Sequence, residues 1–117
     1  MLSLKHFAPQ EFERCIPSCS IDKMNPEFLV ALDTARDVAE VPFVLTSAYR
    51  SPSYDLAKGR SGSGYHTRGR AVDVACIDSK TRWKIVCGCL AVGLSVGLSK
   101  DGFVHIDNRR EPIVFLY

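Results

Sequence analysis

Residues 63–73, Ser-Gly-Tyr-His-Thr-Arg-Gly-Arg-Ala-Val-Asp, form the stretch from which the rest of the chain is best interpreted. This stretch contains a histidine, His66, and an aspartate seven residues later, Asp73, with Gly69 between them. A second histidine lies 32 residues beyond the aspartate, inside the apolar segment 103–107, Phe-Val-His-Ile-Asp. The two segments together predict neighbouring strands that carry a shared polar site.

Alternation of side chains along the two strands predicts how the site is assembled. Residues 70–76, Arg-Ala-Val-Asp-Val-Ala-Cys, have the composition of a buried strand that directs Asp73 to one face. In the segment 103–107, the histidine at its centre, His105, shares a face with the first and last residues. Pairing of the two strands would bring Asp73 and His105 together, with His66 arriving from the glycine-containing turn before the first strand.

Two histidines and one aspartate supply the nitrogen and carboxylate ligands that zinc accepts. Three protein ligands leave a fourth position for water, which is typical of catalytic rather than structural zinc sites. A carboxylate among valine and alanine side chains is costly to bury unless it is paired or bound to a metal. The alternative is that His66 is a loop histidine and Asp73 a salt-bridged core carboxylate, and the spacing by itself leaves both interpretations open.

Three motifs in order resemble those of the M15 peptidases. The pattern His66-x-x-Gly-x-Ala-x-Asp73 followed by the strand Phe-Val-His-Ile-Asp is similar to the zinc signature of that family. Upstream, residues 47–51, Ser-Ala-Tyr-Arg-Ser, are similar to the family's Ser-Gly-Tyr-Arg-Ser segment. The family comprises zinc D-Ala-D-Ala carboxypeptidases and related cell-wall peptidases, including small phage endolysins, and the resemblance extends from about residue 43 to residue 107.

The resemblance implies roles for four residues. It makes His66, Asp73 and His105 the ligands of a Zn²⁺ cofactor. It makes Arg50 the residue that binds the substrate and stabilises the charged oxygen formed during peptide attack. A guanidinium suits that role because it is permanently charged and presents a planar set of donors. Without the resemblance, Arg50 would be interpreted as a surface arginine at the end of a strand.

The sequence departs from the family motif at the position of the general base. Many M15 enzymes carry Glu or Asp three residues before the last histidine ligand, and Gly102 occupies that position here. Asp107 shares the face of His105 about 7 Å along an extended strand, and we predict that it is the catalytic base. Asp101, four residues before His105, is the other possibility. Asp107 has an alternative role as a carboxylate that orients a zinc-bound histidine.

Composition limits the classes of protein that fit. The 117 residues predict a single domain, 1–117, and the resemblance implies that it is a zinc peptidase domain. The net charge of +2 predicts no affinity for polyanions, so no nucleic-acid partner is expected. The first residues lack the apolar segment of a signal peptide, and no stretch is apolar enough to span a membrane. We therefore expect a monomer that is cytoplasmic as synthesised and forms no stable association with membranes.

The remaining patterns predict an α+β fold. Asn25 and the proline after it begin an amphipathic helix over residues 26–39, and residues 43–48 are typical of a buried strand. Ser79 is predicted to cap a second helix, and the last strand covers residues 113–117. We expect a small, mostly antiparallel sheet flanked by helices, and the resemblance implies the architecture shared by hedgehog and D-Ala-D-Ala peptidase domains.

The second helix and the cysteines carry further expectations about the core. The buried side of that helix is predicted to contain Trp83, Val86, Cys87, Leu90 and Ala91. The five cysteines show no disulfide-framework spacing, and Cys76, Cys87 and Cys89 are expected to be small core residues. A second zinc site made of cysteines is the less favoured alternative.

The residue pattern and the resemblance together predict a zinc peptidase, and the resemblance implies that it cleaves a bond in the peptidoglycan stem peptide, next to a D-amino acid. The preference for a D-amino acid follows from the resemblance alone. A phage lytic enzyme that acts at the bacterial cell wall and a bacterial cytoplasmic dipeptidase both fit this interpretation. The alternative from another class is a non-catalytic zinc-binding domain used for recognition, as in the related hedgehog signalling domain, and the missing base position favours it.

Overall fold

A computed structural model describes residues 3–117 of the chain. Within these residues the strands are β1 (Leu45–Ser47), β2 (Ala71–Ala75), β3 (Ser95–Ser99), β4 (Phe103–Asp107) and β5 (Val114–Leu116). The α-helices are α1 (Pro9–Glu13), α2 (Pro26–Ala39), α3 (Pro52–Ala57) and α4 (Ser79–Ala91). Short 3-10 helices cover Ile21–Lys23 and Tyr65–Arg68.

The strands form one sheet in the order β1-β2-β4-β3-β5. Neighbouring strands are antiparallel, except that β5 is parallel to β3. This arrangement confirms the predicted α+β class with a mostly antiparallel sheet and flanking helices. The two edge strands, β1 and β5, are shorter than the predicted segments 43–48 and 113–117, although Val44, Ile113 and Tyr117 just outside them still make backbone hydrogen bonds to the neighbouring strands.

One row of residues crosses the sheet on the face that carries the site. Strand register places Ser47 opposite Asp73, Asp73 opposite His105, and His105 opposite Gly97. Gly97 in turn faces Phe115 on β5. Directly paired residues project from the same side of a sheet, so these five positions form a continuous surface.

The opposite face of the sheet forms the hydrophobic core. Residues that alternate with those of the site row are fully buried there: Val72, Val74, Val96, Val104 and Ile106. They pack in one cluster with apolar side chains of α2 and α4, including Phe28, Leu32 and Ile85. Because this face supplies the apolar burial that stabilises the fold, the other face can carry polar groups.

Helix α2 begins and ends where its sequence predicts. The side chain of Asn25 accepts a hydrogen bond from the backbone N–H of Phe28 at 2.9 Å, and Pro26 occupies the first turn. Its last residue is Ala39, which confirms the predicted range. Within residues 3–117, every helix is too short or too polar to cross a lipid bilayer.

The predicted cap of α4 is wrong, and so is its predicted buried side except for Val86, which is partly buried against the core. The cap is Asp78 rather than Ser79, since its carboxylate accepts the N–H of Thr81 at 2.8 Å. Trp83 is 68% exposed, and Cys87, Leu90 and Ala91 are also exposed. The buried residues of the helix are instead Ile85, Gly88 and Cys89.

The close approach of α2 explains why the other side of α4 is buried. A Cβ atom added at Gly88 would lie 2.4 Å from the carbonyl oxygen of Ala35 and 2.9 Å from Cβ of Ala39. Glycine therefore allows the two helices to touch, although it contributes no apolar side chain to the helical pattern. All five cysteines lie in the described part and are free, and Cys76 and Cys89 are buried as predicted.

Candidate active site

His66, Asp73 and His105 each offer one potential ligand atom, and these atoms lie within 4.8 Å of one another. Nε2 of His66 is 3.4 Å from Oδ1 of Asp73, and Nδ1 of His105 is 3.2 Å from the same oxygen. Asp73 and His105 are direct partners on β2 and β4, while His66 lies on the 3-10 helix before β2. The structure thus brings together the three residues that the sequence predicts as metal ligands.

Gly69 makes the turn that returns the chain from His66 to β2. Its φ of 67° lies in the left-handed region, where a side chain is unfavourable. An added Cβ atom would also lie 2.3 Å from the carbonyl oxygen of Lys23. The carbonyl of Gly69 accepts the N–H of Asn25, so the turn is held against the start of α2.

Neighbouring groups determine which nitrogen of each histidine can bind a metal. Nδ1 of His66 lies 2.7 Å from the carbonyl oxygen of Ala48, which can only accept a hydrogen bond, so Nδ1 carries the proton. Nε2 of His105 donates to Oδ2 of Asp107 at 2.7 Å. The remaining nitrogens, Nε2 of His66 and Nδ1 of His105, both face Asp73, and this donor set fits zinc.

The charges of the cluster are strongly coupled. Burial opposes ionisation of Asp73, but hydrogen bonds with His105 and His66 outweigh it and hold the Asp73 pKa well below its usual range. Burial also lowers the pKa of His105, and the hydrogen bonds with Asp107 and Asp73 more than reverse this effect, so that pKa is raised. A cluster that stabilises a proton on His105 in this way also favours a cation, provided that the cation displaces the proton.

Asp107 is fully buried beside His105. Its Oδ1 accepts hydrogen bonds from the backbone N–H and Nε of Arg109, at 3.0 and 2.9 Å. Its Oδ2 accepts from Nε2 of His105 and from Nη2 of Arg109, at 2.7 and 2.6 Å. Burial opposes ionisation, but the hydrogen bonds of Arg109 and His105 hold the Asp107 pKa far below its usual range.

The contacts of Asp107 bear on its predicted role as the base. A carboxylate with a depressed pKa and both oxygens engaged accepts a further proton poorly. This geometry favours the alternative in which Asp107 orients His105. Asp101 is exposed in the turn between β3 and β4, where its N–H donates to Oγ of Ser99, and it lies outside the group of converging ligand atoms found among residues 3–117.

Arg50 is not a freely exposed surface arginine, because its side chain is only 12% exposed. Its Nη1 donates to Oγ of Ser47 at 3.2 Å, and Ser47 is the residue opposite Asp73 on β1. Its Nε lies 3.2 Å from Oδ1 of buried Asp55, close enough for an ion pair although not aligned as a hydrogen bond. The backbone N–H of Arg50 donates to the carbonyl of His66.

Sequence reasoning misses the aromatic side chains beside the site. The ring of Phe115 is centred 5.6 Å from that of His105, and the ring of Tyr117 is centred 6.3 Å from it. Burial and then the charge of Asp73 raise the pKa of Tyr117 to about 12. A Cβ atom added at Gly97 would lie 2.4 Å from the Phe115 ring, so a glycine inside a strand was the available signal of this close approach.

Comparison with known families agrees with the site geometry. A family model described as Peptidase M15 matches residues 5–107. Neither the comparison with curated proteins nor the comparison with solved structures gives a match. The matched range includes Arg50, His66, Asp73, His105 and Asp107. Because it covers most of the 117 residues, the chain belongs to the M15 peptidase family.

Proposed function

We propose that the protein is a zinc-dependent peptidase that hydrolyses peptidoglycan stem peptides next to a D-amino acid. The observation that carries this proposal is the convergence of His66, Asp73 and His105 with both histidine tautomers determined by their neighbours. The chain belongs to the M15 family, whose peptidases depend on zinc, and this membership supports the proposed activity and metal. The substrate class rests on the resemblance of the motifs, including the segment around Arg50.

We assign the metal ligands to Nε2 of His66, Oδ1 of Asp73 and Nδ1 of His105. A zinc ion bound there would supply Lewis-acid chemistry, polarising the scissile carbonyl and making water more acidic. The carbonyl of Ala48 and the carboxylate of Asp107 keep the two imidazoles in the required tautomers. The protein therefore contributes ligand orientation through groups that do not themselves contact the metal.

We assign Arg50 to the substrate. The ion pair of Nε with Asp55 and the hydrogen bond of Nη1 to Ser47 orient the guanidinium without using Nη2. The assigned role of Nη2 is to donate to a substrate carboxylate, or to the carbonyl oxygen as negative charge develops on it. Because the supporting contacts are already made in the protein, little reorganisation is needed when the substrate binds.

Asp107 has two competing assignments, as the general base that accepts the proton or as the group that orients His105. The sequence predicts that it is the general base, with Asp101 as the other possibility. Its contacts with Arg109 and His105 favour the second assignment, in which it orients His105. The two assignments predict different effects of the same substitution, which are described below.

A second candidate function is zinc-dependent recognition without catalysis. It is favoured by Gly102 at the usual base position and by the fully engaged state of Asp107. Such a domain would bind zinc through the same three residues and would retain its ligand beside them without cleaving it. Both a lytic enzyme that acts on the cell wall and a cytoplasmic dipeptidase are forms of the first proposal.

Digestion of purified sacculi tests the two candidates directly. The zinc-loaded protein, the chelated protein and His66→Ala should be incubated separately, with the released peptides identified by mass spectrometry. Loss of a terminal D-amino acid indicates a carboxypeptidase, and internal cleavage indicates an endopeptidase. Zinc binding without any product, either from sacculi or from a free dipeptide of D-amino acids as the substrate of a dipeptidase, supports the recognition domain. A matched pair of stem peptides that differ only in a D- or L-residue tests the stereochemical preference, and equal cleavage of both contradicts it.

A further inference from the structure

Arg109 joins three parts of the structure beside the site. Its Nε and Nη2 donate to the two oxygens of Asp107, and its backbone N–H donates to the same carboxylate. The guanidinium carbon also lies 5.0 Å from the centre of the Tyr65 ring and 5.1 Å from the centre of the Phe115 ring. The guanidinium is thus bonded along its edge and in contact with two aromatic rings from different segments.

Each partner of Arg109 is adjacent to a predicted metal ligand. Asp107 accepts the Nε2 proton of His105, and Tyr65 directly precedes His66 in the 3-10 helix. Arg109 therefore connects the strand that carries one histidine with the helix that carries the other. Because Arg109 contacts both Asp107 and Tyr65, movement of its guanidinium would disturb both histidines.

We propose that Arg109 is a positioning residue of the metal centre. It holds the Asp107 carboxylate in the orientation that accepts Nε2–H of His105, and it holds Tyr65, and with it His66, against the sheet. This inference rests on the proposed metal site, and it adds a function for a residue outside the three ligands. Without its partner, the buried carboxylate of Asp107 would lose two charge-assisted hydrogen bonds that keep it ionised and oriented.

We expect that a lysine at position 109 does not support the metal centre as the arginine does. An ammonium keeps the positive charge, but it lacks the planar fork that bonds both carboxylate oxygens and stacks on aromatic rings. Loss of a residue that orients a metal ligand commonly weakens metal affinity by about 10- to 100-fold. We expect a zinc Kd weakened by that range in Arg109→Lys. Arg110→Lys is the matched control, because Arg110 is the exposed neighbour, and its zinc Kd should equal that of the wild type.

The zinc Kd should be measured by competition with a chelating dye, using proteins whose folding has been checked by circular dichroism. The absorption spectrum of the cobalt-substituted protein gives a second readout, which should change in Arg109→Lys because the ligand geometry changes. Turnover should recover at saturating zinc. An unchanged zinc Kd and cobalt spectrum would overturn the inference, as would a lower melting temperature of the zinc-free protein with unchanged zinc Kd.

A second variant keeps the inference testable if Arg109→Lys does not fold. Tyr65→Leu removes one aromatic partner and leaves the Arg109–Asp107 pair intact, so it should weaken zinc binding severalfold. An unchanged Kd in Tyr65→Leu would then refute the positioning role. Wild-type protein that binds no zinc refutes the metal site and this inference together. Wild-type protein that binds zinc but cleaves no stem peptide refutes the peptidase and leaves the Arg109 test intact.

Discussion

Replacement of Arg50 by lysine separates a substrate-binding arginine from a structural one. In the wild type, Asp55 and Ser47 engage Nε and Nη1 of the guanidinium, and the remaining nitrogen is assigned to substrate. A lysine has one ammonium group at the end of a flexible chain. Because buried Asp55 is a strong competitor for that single charge, the ammonium cannot pair with Asp55 and also reach the substrate in the arginine's geometry.

The expected loss follows from one charge-assisted contact. A hydrogen bond to a charged group contributes about 1.5–3 kcal/mol, and every 1.36 kcal/mol of transition-state stabilisation corresponds to about tenfold in rate. Arg50→Lys should therefore lower kcat/KM by roughly 10- to 150-fold. A reduction in kcat as well as in kcat/KM would indicate a contact made mainly in the transition state, whereas an increase in KM alone would indicate substrate binding.

Steady-state hydrolysis of a stem peptide, followed by chromatography of the products, measures this loss. Zinc content and melting temperature should be measured on the same samples, because the prediction requires that both remain close to those of the wild type. Arg60→Lys is the control, since the side chain of Arg60 is exposed. Equal kcat/KM for Arg50→Lys and the wild type would refute the substrate role of Arg50.

Four further substitutions test the metal ligands, the carboxylates and the helix contact. Elemental analysis should show one zinc per chain in the wild type and in the control His6→Ala, and none in His66→Ala. Full zinc content in His66→Ala would contradict the assignment of this ligand. Chelation should lower the melting temperature of the wild type, because zinc stabilises only the folded state. Asp107→Asn should weaken zinc binding by about 10- to 100-fold with turnover restored at saturating zinc if Asp107 orients His105. If it is the base, zinc should be retained and turnover should fall by roughly two to four orders of magnitude. Asp101→Asn should be nearly harmless, and an inactive Asp101→Asn beside an active Asp107→Asn would identify Asp101 as the base. Gly88→Val should destabilise the fold by about 1–3 kcal/mol in denaturant unfolding without changing zinc content, because it overpacks the α2–α4 contact; unchanged stability would show that the helices separate freely.

The central part of the site could be predicted because it depends on strand alternation and local turns. Alternation places Asp73 and His105 on one face of each strand, and antiparallel pairing then makes them direct partners. Gly69 provides the left-handed turn that returns His66 to them. These relations involve short segments and a single strand pairing, so the amino-acid pattern contains the information that determines them.

Other features depend on packing between distant segments, which the pattern does not specify. The buried side of α4 is determined by the approach of α2 at Gly88, a residue without a side chain to mark an apolar stripe. The position of Phe115 beside His105 requires β5 to join the sheet parallel to β3, although the sequence indicates only that a strand exists. Arg109 acquires its role from aromatic partners that are distant in sequence, Tyr65 and Phe115.

The two nitrogens of His105 explain why spacing alone cannot identify the base. Spacing places Asp107 on the same face as His105, which makes it a plausible neighbour of any metal bound there. However, His105 directs Nδ1 towards Asp73 and Nε2 towards Asp107, so the imidazole ring stands between Asp107 and the converging ligand atoms. A general base must reach the reacting water within hydrogen-bonding distance. The hydrogen bond between His105 and Asp107 therefore favours the orienting role of Asp107, and the zinc dependence of turnover in Asp107→Asn distinguishes this role from that of the base.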